Sequence, residues 1–344
     1  MIECIRRACS TAQGWILDSS LSLLANLSKI RDSGTTSKMP SVTRKSSAEH
    51  DTDKQTKQEE RDLITPRTNI PATQSKDHWT HSAYKASAPF VPLLTQEIIQ
   101  WLDPQASDTI LDLGCGDGSL TAKIAERSAH VAGFDASANL IEAGRSTYGT
   151  VSNLSWHVLD CRYLEGSEEI KEGEYDKVFS NAALHWILRG ASSRMSVLRG
   201  VYRTLRPGGV FVFEMGGAGN CADVHAALLA ALVHQGISIE KARETSPWFF
   251  PSELLMKNML EAAGFQVQRS KLEYRPTELT SEKEGGLEGW VRLMGAQFLE
   301  VLDTEDKREA VVREVCDVLQ TILTHEEDGS MYLGYVRLKV IARK

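Results

Sequence analysis

No stretch of this 344-residue chain is apolar for the roughly 18–20 residues that a membrane-spanning helix needs, so a transmembrane protein is not expected. The best candidate, residues 16–27, is broken by Asp18, Ser19 and Ser20. Cysteine is scarce. Six are present (Cys4, Cys9, Cys115, Cys161, Cys221 and Cys316), with no CxxC pair, which excludes a disulfide scaffold and points to reduced thiols in the cytoplasm. An excess of positive charge is also missing. Residues 1–76 hold 12 Lys/Arg against 9 Asp/Glu, a net of +3, within a whole-chain net charge of −7, so the remaining 268 residues carry −10. That body lacks the positive field needed to grip nucleic acid or an anionic membrane face, and neither is an expected partner.

Large apolar residues are nearly absent from 33–75, where Ser, Thr, Lys, Glu and Asp dominate. Such a segment cannot bury enough surface to offset its ordering entropy and is expected to be disordered. Residues 1–32 carry Arg6, Arg7 and a roughly helical spacing of Ile16, Leu17, Leu21, Leu24 and Leu27, interrupted by Glu3, Asp18 and Asp32. This is a weak mitochondrial-leader pattern; the alternative is that the protein starts at Met39. Residues 1–76 are therefore read as a tail and 77–344 as one folded domain. Within it, 88–216, 252–274 and 328–344 form the core, and 219–250 and 277–327 form a helical cap. No internal repeat is present.

From residue 88 on, short apolar runs alternate with segments of helical periodicity. Strands are expected at 109–113, 130–135, 154–159, 176–180 and 210–213, with helices at 91–101, after 118, at 138–146 and at 193–205. Strands and helices alternating at this spacing mean βαβ units, a parallel sheet, and a ligand at the carboxyl ends of the strands. After Gly219 the chain reads mainly helical: one helix at 222–235, one at 252–263 capped by Ser252 and closed by Gly264, and two within 285–325. Val311, Val315, Val318, Leu319 and Ile322 form the buried stripe expected of the last of these. Strands at 265–274 and 331–342 complete the fold, which is expected to be an α/β, Rossmann-like, seven-stranded and mostly parallel sheet.

Asp112-Leu-Gly114-Cys-Gly116-Asp-Gly118 joins the first strand to its helix. Alternate glycines let the backbone turn sharply and let a ligand approach closely. A dinucleotide fold spaces its glycines GxGxxG; here the third comes one residue early, and Asp112 offers an acceptor to a cationic amine. Asp135 closes the second strand, where an acid bridges the two hydroxyls of a ribose. Asp160 closes the third, where it accepts from an adenine amine or simply caps the next turn. An amino-acid end, a ribose and an adenine together describe S-adenosylmethionine. The acids sit on three different strand ends without a ligand-like grouping, so no metal site is expected.

Residues 108–216 resemble a class I S-adenosylmethionine-dependent methyltransferase. The likeness rests on Ile110-Leu-Asp-Leu-Gly-Cys-Gly-Asp-Gly118, Gly133-Phe-Asp135, Val158-Leu-Asp160, Asp176-Lys-Val-Phe-Ser-Asn-Ala-Ala-Leu-His-Trp186 and Leu205-Arg-Pro-Gly-Gly209. Within the class, Ser180-Asn-Ala-Ala-Leu-His-Trp186, Phe213-Glu-Met-Gly-Gly217 and Tyr335-Val-Arg-Leu338 are similar to the trans-aconitate methyltransferases, a likeness that spans about 77–344. The first 76 residues depart from that family. The resemblance implies cofactor contacts from Asp112, Gly114, Cys115, Gly116, Asp135, Ala136, Asp160, Cys161 and Asn181, and methylation of a carboxylate on a small acid.

On the acceptor side, His185 and Trp186 follow the fourth strand, where the transferred methyl is expected. His185 has three readings: a general base for a hydroxyl or amine, a hydrogen-bond donor to a carboxylate, or a spacer against Trp186. A carboxylate acceptor needs local cations, for which Arg292 and Arg337 are the candidates. Trp79 and Tyr84 precede the first core helix and are expected to close over the site. The expected partner is a small molecule; the oligomeric state is not legible. The alternatives to carboxylate methylation are O-, N- or C-methylation of a secondary metabolite, or a non-catalytic S-adenosylmethionine-binding regulator.

Overall fold

The structure, a computed structural model, describes Trp79, residues 94–281, Lys283 and residues 285–344. The readings of residues 1–76 and of Tyr84 lie outside the described residues.

Seven strands form one sheet in the order β3-β2-β1-β4-β5-β7-β6. They are β1 Thr109–Leu113, β2 His130–Asp135, β3 Leu154–Val158, β4 Tyr175–Asn181, β5 Leu205–Gly216, β6 Gln266–Glu278 and β7 Tyr332–Arg343. β7 runs antiparallel to both its neighbours, and the other pairings are parallel. The central strands are near-continuous apolar runs because helices cover both faces of a parallel sheet. Ile110, Leu111 and Leu113 of β1 are fully buried. The strand order reverses direction at β1, which opens a crevice beyond the carboxyl ends of β1 and β4.

The helices of the core are α1 Gln96–Leu102, α2 Ser119–Ala125, α3 Ala138–Tyr148, α4 Leu184–Ile187 and α5 Arg194–Thr204. The Ser137 hydroxyl accepts from the Leu140 N–H at 3.2 Å and starts α3. The cap is built from α6 Ala222–His234, α7 Ile239–Thr245, α9 Gly286–Met294, α10 Ala296–Leu299 and α11 Glu305–Leu323, while α8 Glu253–Ala262 packs back on the core. Ser252 caps α8 through the Leu255 N–H at 3.2 Å, and Gly264 follows it at φ +105°, as the sequence predicts.

Three expectations shift. The 285–325 segment holds three helices instead of two. In α11, Val311, Val312, Val315, Leu319 and Leu323 face inward, whereas Val318 and Ile322 are 53% and 64% exposed. The inward stripe keeps Val311, Val315 and Leu319, and Val312 and Leu323 are buried in place of those two. Finally, β5 begins at Leu205, well before Val210. Tyr175 pairs with Leu205 and Lys177 with Val210, so Arg206-Pro-Gly-Gly209 bulges out between two paired halves of one strand.

The cap has its own apolar core. Leu228, Ala231 and Leu232 of α6 meet Val291, Phe298, Val311 and Val315, all essentially buried. Each such Leu, Val or Phe contributes roughly 1.5–3 kcal/mol by leaving water, so the cap is a packed body and not a loose excursion of the chain.

Candidate active site

The carboxyl ends of β1, β2 and β4 border a cleft that offers about 230 Å³ to the centres of water-sized molecules. Gly114, Gly116, Asp135, Ala136, Asp160, Cys161, Asn181 and Trp186, all expected from the sequence, line it. The glycine loop is shaped by backbone alone. Gly114 has φ +75°, and a Cβ there would lie 2.2 Å from that of Ala183. Gly116 has φ +59° and nothing within 4 Å of where a Cβ would sit, so its missing side chain leaves the cleft open. Asp135 accepts from the Gly116 N–H at 2.9 Å and from the Ser137 N–H at 2.8 Å, which fixes its carboxylate at the rim. Asp160 is held by Arg162 through Nε at 2.9 Å.

Two of the expected contacts move. Asp112 does not line the cleft: it is buried beneath the loop, where its Oδ2 accepts from the Thr121 hydroxyl at 2.7 Å. Burial pushes its carboxyl up to about 7, against the opposing pull of the Thr121 bond. Its task is to tie β1 to α2. Cys115 likewise turns inward and packs with Ile141 and Trp156. Both follow from strand alternation and from the reversal of the loop, which present backbone instead of these side chains to the cleft. An acceptor for an amine is present elsewhere. Asn181, at the end of β4, buries its Oδ1 without a hydrogen-bond partner.

A second cavity, with about 80 Å³ for water centres, adjoins the first; Trp79, Asn181, Ala182 and Trp186 line both. Ala182, at this junction, has φ +57°, a left-handed backbone held at some cost in a residue with a Cβ. Aromatic rings build one side. Trp186 meets Trp79 edge-on at 5.5 Å and Trp248 at 6.0 Å, and Trp248 stacks on Phe250 at 5.7 Å. The remaining wall is charged. Arg275 and Arg337 both reach Glu214, at 2.6 and 3.1 Å. Burial opposes the Glu214 charge, but Arg337 and Arg275 outweigh it and hold its pKa below the ordinary value. Arg337 hydrogen-bonds among the described residues only through Nε, which leaves its terminal nitrogens for a ligand. Arg275 buries an Nε that has no partner there either.

His185 is buried between these walls. Its Nδ1 accepts from the Gly216 N–H at 3.3 Å, and no described residue hydrogen-bonds its Nε2. Burial, aided by the Arg337 charge, lowers its pKa well below the usual histidine value. A neutral ring whose Nδ1 is an acceptor carries its proton on Nε2. His185 therefore presents a hydrogen-bond donor.

Arg292 is corrected. It pairs with Glu288 at 2.8 Å and Glu309 at 2.6 Å on the outside of the cap and does not line the cavity. Residues two apart on a helix point in nearly opposite directions, and Trp290 takes the inward one. The cation that sequence reasoning missed is Arg275. Its signal is the alternation Lys271, Glu273, Arg275 along β6, which continues one residue beyond the strand expected there. Glu214, inside a quoted motif, was also passed over. The cap contributes Trp248, Phe250 and Gln297, which no motif marked; Arg189 Nη1 donates to Gln297 Oε1 across the rim of the cofactor cleft.

The donor set suits S-adenosylmethionine: a rim carboxylate for the ribose, an unsatisfied buried acceptor for the ammonium, and a glycine-lined floor. Residues 110–209 match the family model described as a methyltransferase domain. The chain is 35% identical over 269 residues to an uncharacterized methyltransferase of Schizosaccharomyces pombe, covering 78% of this chain and 99% of that protein. It is 25% identical over 237 residues to a trans-aconitate 2-methyltransferase of Azoarcus sp., covering 68% and 86%. Among solved structures, a putative methyltransferase of Bacillus halodurans shares the fold with a TM-score of 0.51 at 16% identity, covering 73% and 99%.

Proposed function

The chain belongs to the class I S-adenosylmethionine-dependent methyltransferases, and from that premise we propose that it esterifies a carboxylate of a small organic acid. The observation that carries this is the state of His185. With Nδ1 taken by the Gly216 N–H and the ring kept neutral, Nε2 already holds its proton and donates; it has no lone pair with which to deprotonate a hydroxyl or an amine. A carboxylate needs no base at neutral pH, and it welcomes both this donor and the free end of Arg337. That the chain resembles proteins named trans-aconitate 2-methyltransferase supports an acid as acceptor.

The cofactor supplies an electrophilic methyl group on a sulfonium. The residues of this chain then have three tasks. Asp135, Asp160 and Asn181 would hold the cofactor in the cleft, which adjoins the second cavity at Asn181 and Ala182. Arg337 and His185 align a carboxylate oxygen there, where an in-line approach of about 3–3.5 Å is needed. Trp79, Trp186 and Trp248 exclude water, which strengthens every charge interaction inside.

Incubation with methyl-labelled S-adenosylmethionine and a panel of carboxylic acids, phenols and amines tests the reading. A base-labile methyl ester is expected. A base-stable ether or methylamine as the product refutes it.

A further inference from the structure

We propose that the acceptor is a monocarboxylic acid with a flat apolar body, one anionic end and no second charge. This rests on the carboxylate reading above and deepens it. The argument is electrostatic. Two cations face the cavity, Arg275 and Arg337, and between them they enclose one anion, Glu214, 3% exposed at its side chain. The neighbouring cation, Lys339, is spent: it is buried against Glu97, Glu273 at 2.6 Å and Glu214 at 3.7 Å. Lys271 likewise pairs with Glu97 at 3.1 Å and Glu273 at 3.3 Å. His185 adds no charge because burial keeps it neutral. The protein wall of the cavity, among the described residues, therefore holds a single surplus positive charge. One carboxylate neutralises it, whereas a second or third would be buried without a partner, and an unpaired buried charge is prohibitively costly.

The distribution of donors agrees with the charge. The free charged and imidazole donors, among the described residues, lie along the sheet-side wall, at the Arg337 terminal nitrogens, Arg275 Nε and His185 Nε2. His185 and Arg337 are close enough for the arginine charge to depress the histidine. The cap side is apolar: Trp248, Phe250, Trp290 and Met294. The Trp290 indole N–H is already given to the Tyr335 hydroxyl at 2.7 Å, so it has no proton to offer a ligand. Trp248 stacks on Phe250 at 21° between ring planes, which leaves planar surface for a planar guest. Space for water centres of about 80 Å³ accommodates on the order of six waters, the room for one ring or a short unsaturated chain.

The test compares acids that differ only in charge. The full chain, with saturating S-adenosylmethionine, is assayed for base-labile methyl ester on 3-phenylpropenoic acid, on the same acid with a second carboxylate at the far end of the ring, and on propene-1,2,3-tricarboxylic acid. The monocarboxylate is expected to exceed both others in kcat/KM by at least about 100-fold, as befits one unpaired buried charge. Equal or faster turnover of the tricarboxylate or the extended dicarboxylate overturns this proposal while leaving carboxylate methylation intact. Absence of ester from every acid, with methyl transfer to a phenol or an amine instead, overturns both. Arg337→Lys keeps the charge but loses the fork; KM for the monocarboxylate is expected to rise at least about tenfold, with cofactor affinity unchanged by calorimetry. An unchanged KM overturns the assignment of the anionic end to Arg337.

Discussion

Substituting His185 separates a donor from a base. The Gly216 N–H occupies Nδ1 at 3.3 Å, and burial together with Arg337 holds the ring's pKa well below 6.5. At neutral and higher pH the ring is neutral, with its proton on Nε2. A donor to a charged acceptor is worth about 1.5–3 kcal/mol, which is roughly a 10- to 150-fold effect on kcat/KM. His185→Phe keeps the packing against Trp186 and Phe250 and removes the donor, so it is expected to lose that factor. His185→Gln retains an N–H of similar reach and is expected to recover part of it. Initial rates from labelled S-adenosylmethionine, taken from pH 5.5 to 9 on all three proteins, give the answer. The wild-type profile is expected to be flat above pH 6. Two results refute the reasoning: a wild-type acid limb of unit slope that disappears in His185→Gln, or Gln and Phe variants equally inactive by more than about 10⁴-fold, the upper range of general-base catalysis.

Four further outcomes follow from the geometry. Arg292→Ala is expected to change kcat/KM by less than about twofold and stability by less than about 1 kcal/mol, since its partners Glu288 and Glu309 lie at the surface; a tenfold loss of activity in steady-state assays contradicts this. Asp135→Ala removes the rim carboxylate and is expected to weaken cofactor binding by about 1–3 kcal/mol in calorimetry; unchanged affinity removes Asp135 from the site. Gly116→Ala is expected to fold and to lose cofactor affinity, because its Cβ meets only the open cleft, whereas Gly114→Ala drives a Cβ to within 2.2 Å of that of Ala183 and is expected to fail in thermal melts as well. Asp112, raised to about 7 when folded and near 3.8 when unfolded, favours the folded state fully below the unfolded value and loses that contribution progressively as pH rises to 7, a swing on the order of 4 kcal/mol. The apo Asp112→Asn protein is therefore expected to gain more over wild type in melting temperature at pH 8 than at pH 5, and an equal difference at both would disprove it.

Legibility in the sequence tracked the kind of constraint. The sheet, the glycine loop and Asp135 were readable because short apolar runs, a fixed turn and an acid at a strand end are local properties. Asp112 was assigned to a ligand because sequence spacing places it beside the loop; which side of β1 it takes is decided by packing, and Thr121 on α2, nine residues on, is what claims it. Arg292 was misplaced for a similar reason. The segment Trp290-Val-Arg292 is a candidate in the one-dimensional text, but on a helix only one of the two can face in, and the larger apolar surface wins. The cap aromatics Trp248 and Phe250 belong to no periodic element, since they lie between α7 and α8, and only the tertiary arrangement brings them to His185. There the Phe249 N–H donates to the His185 carbonyl at 2.9 Å.

The charged wall shows how an acidic body builds a site for an anion. Strand alternation puts Lys271, Glu273 and Arg275 of β6 on one face, and antiparallel register sets them beside Lys339, Arg337 and Tyr335 of β7, with Glu214 of β5 opposite Lys339. α1 then lowers Glu97 onto Lys339 and Lys271. Moving outward from that helix, each cation meets one carboxylate fewer: Lys339 touches three, Lys271 two, and Arg275 and Arg337 share one. The surplus accumulates at Arg275 and Arg337, which is where the cavity opens. A net charge of −10 over the body is thus compatible with an anion site, because solvent screens exposed charges over about 8–10 Å while a buried ladder sets its own local balance. Glu214→Gln should expose that balance. Losing the one enclosed anion raises the surplus on the wall by one, so a second carboxylate on the acceptor gains a partner. The ratio of kcat/KM for the extended dicarboxylate over the monocarboxylate is then expected to rise by at least about tenfold. A ratio that stays put in the folded variant would mean that the wall does not choose its acceptor by charge.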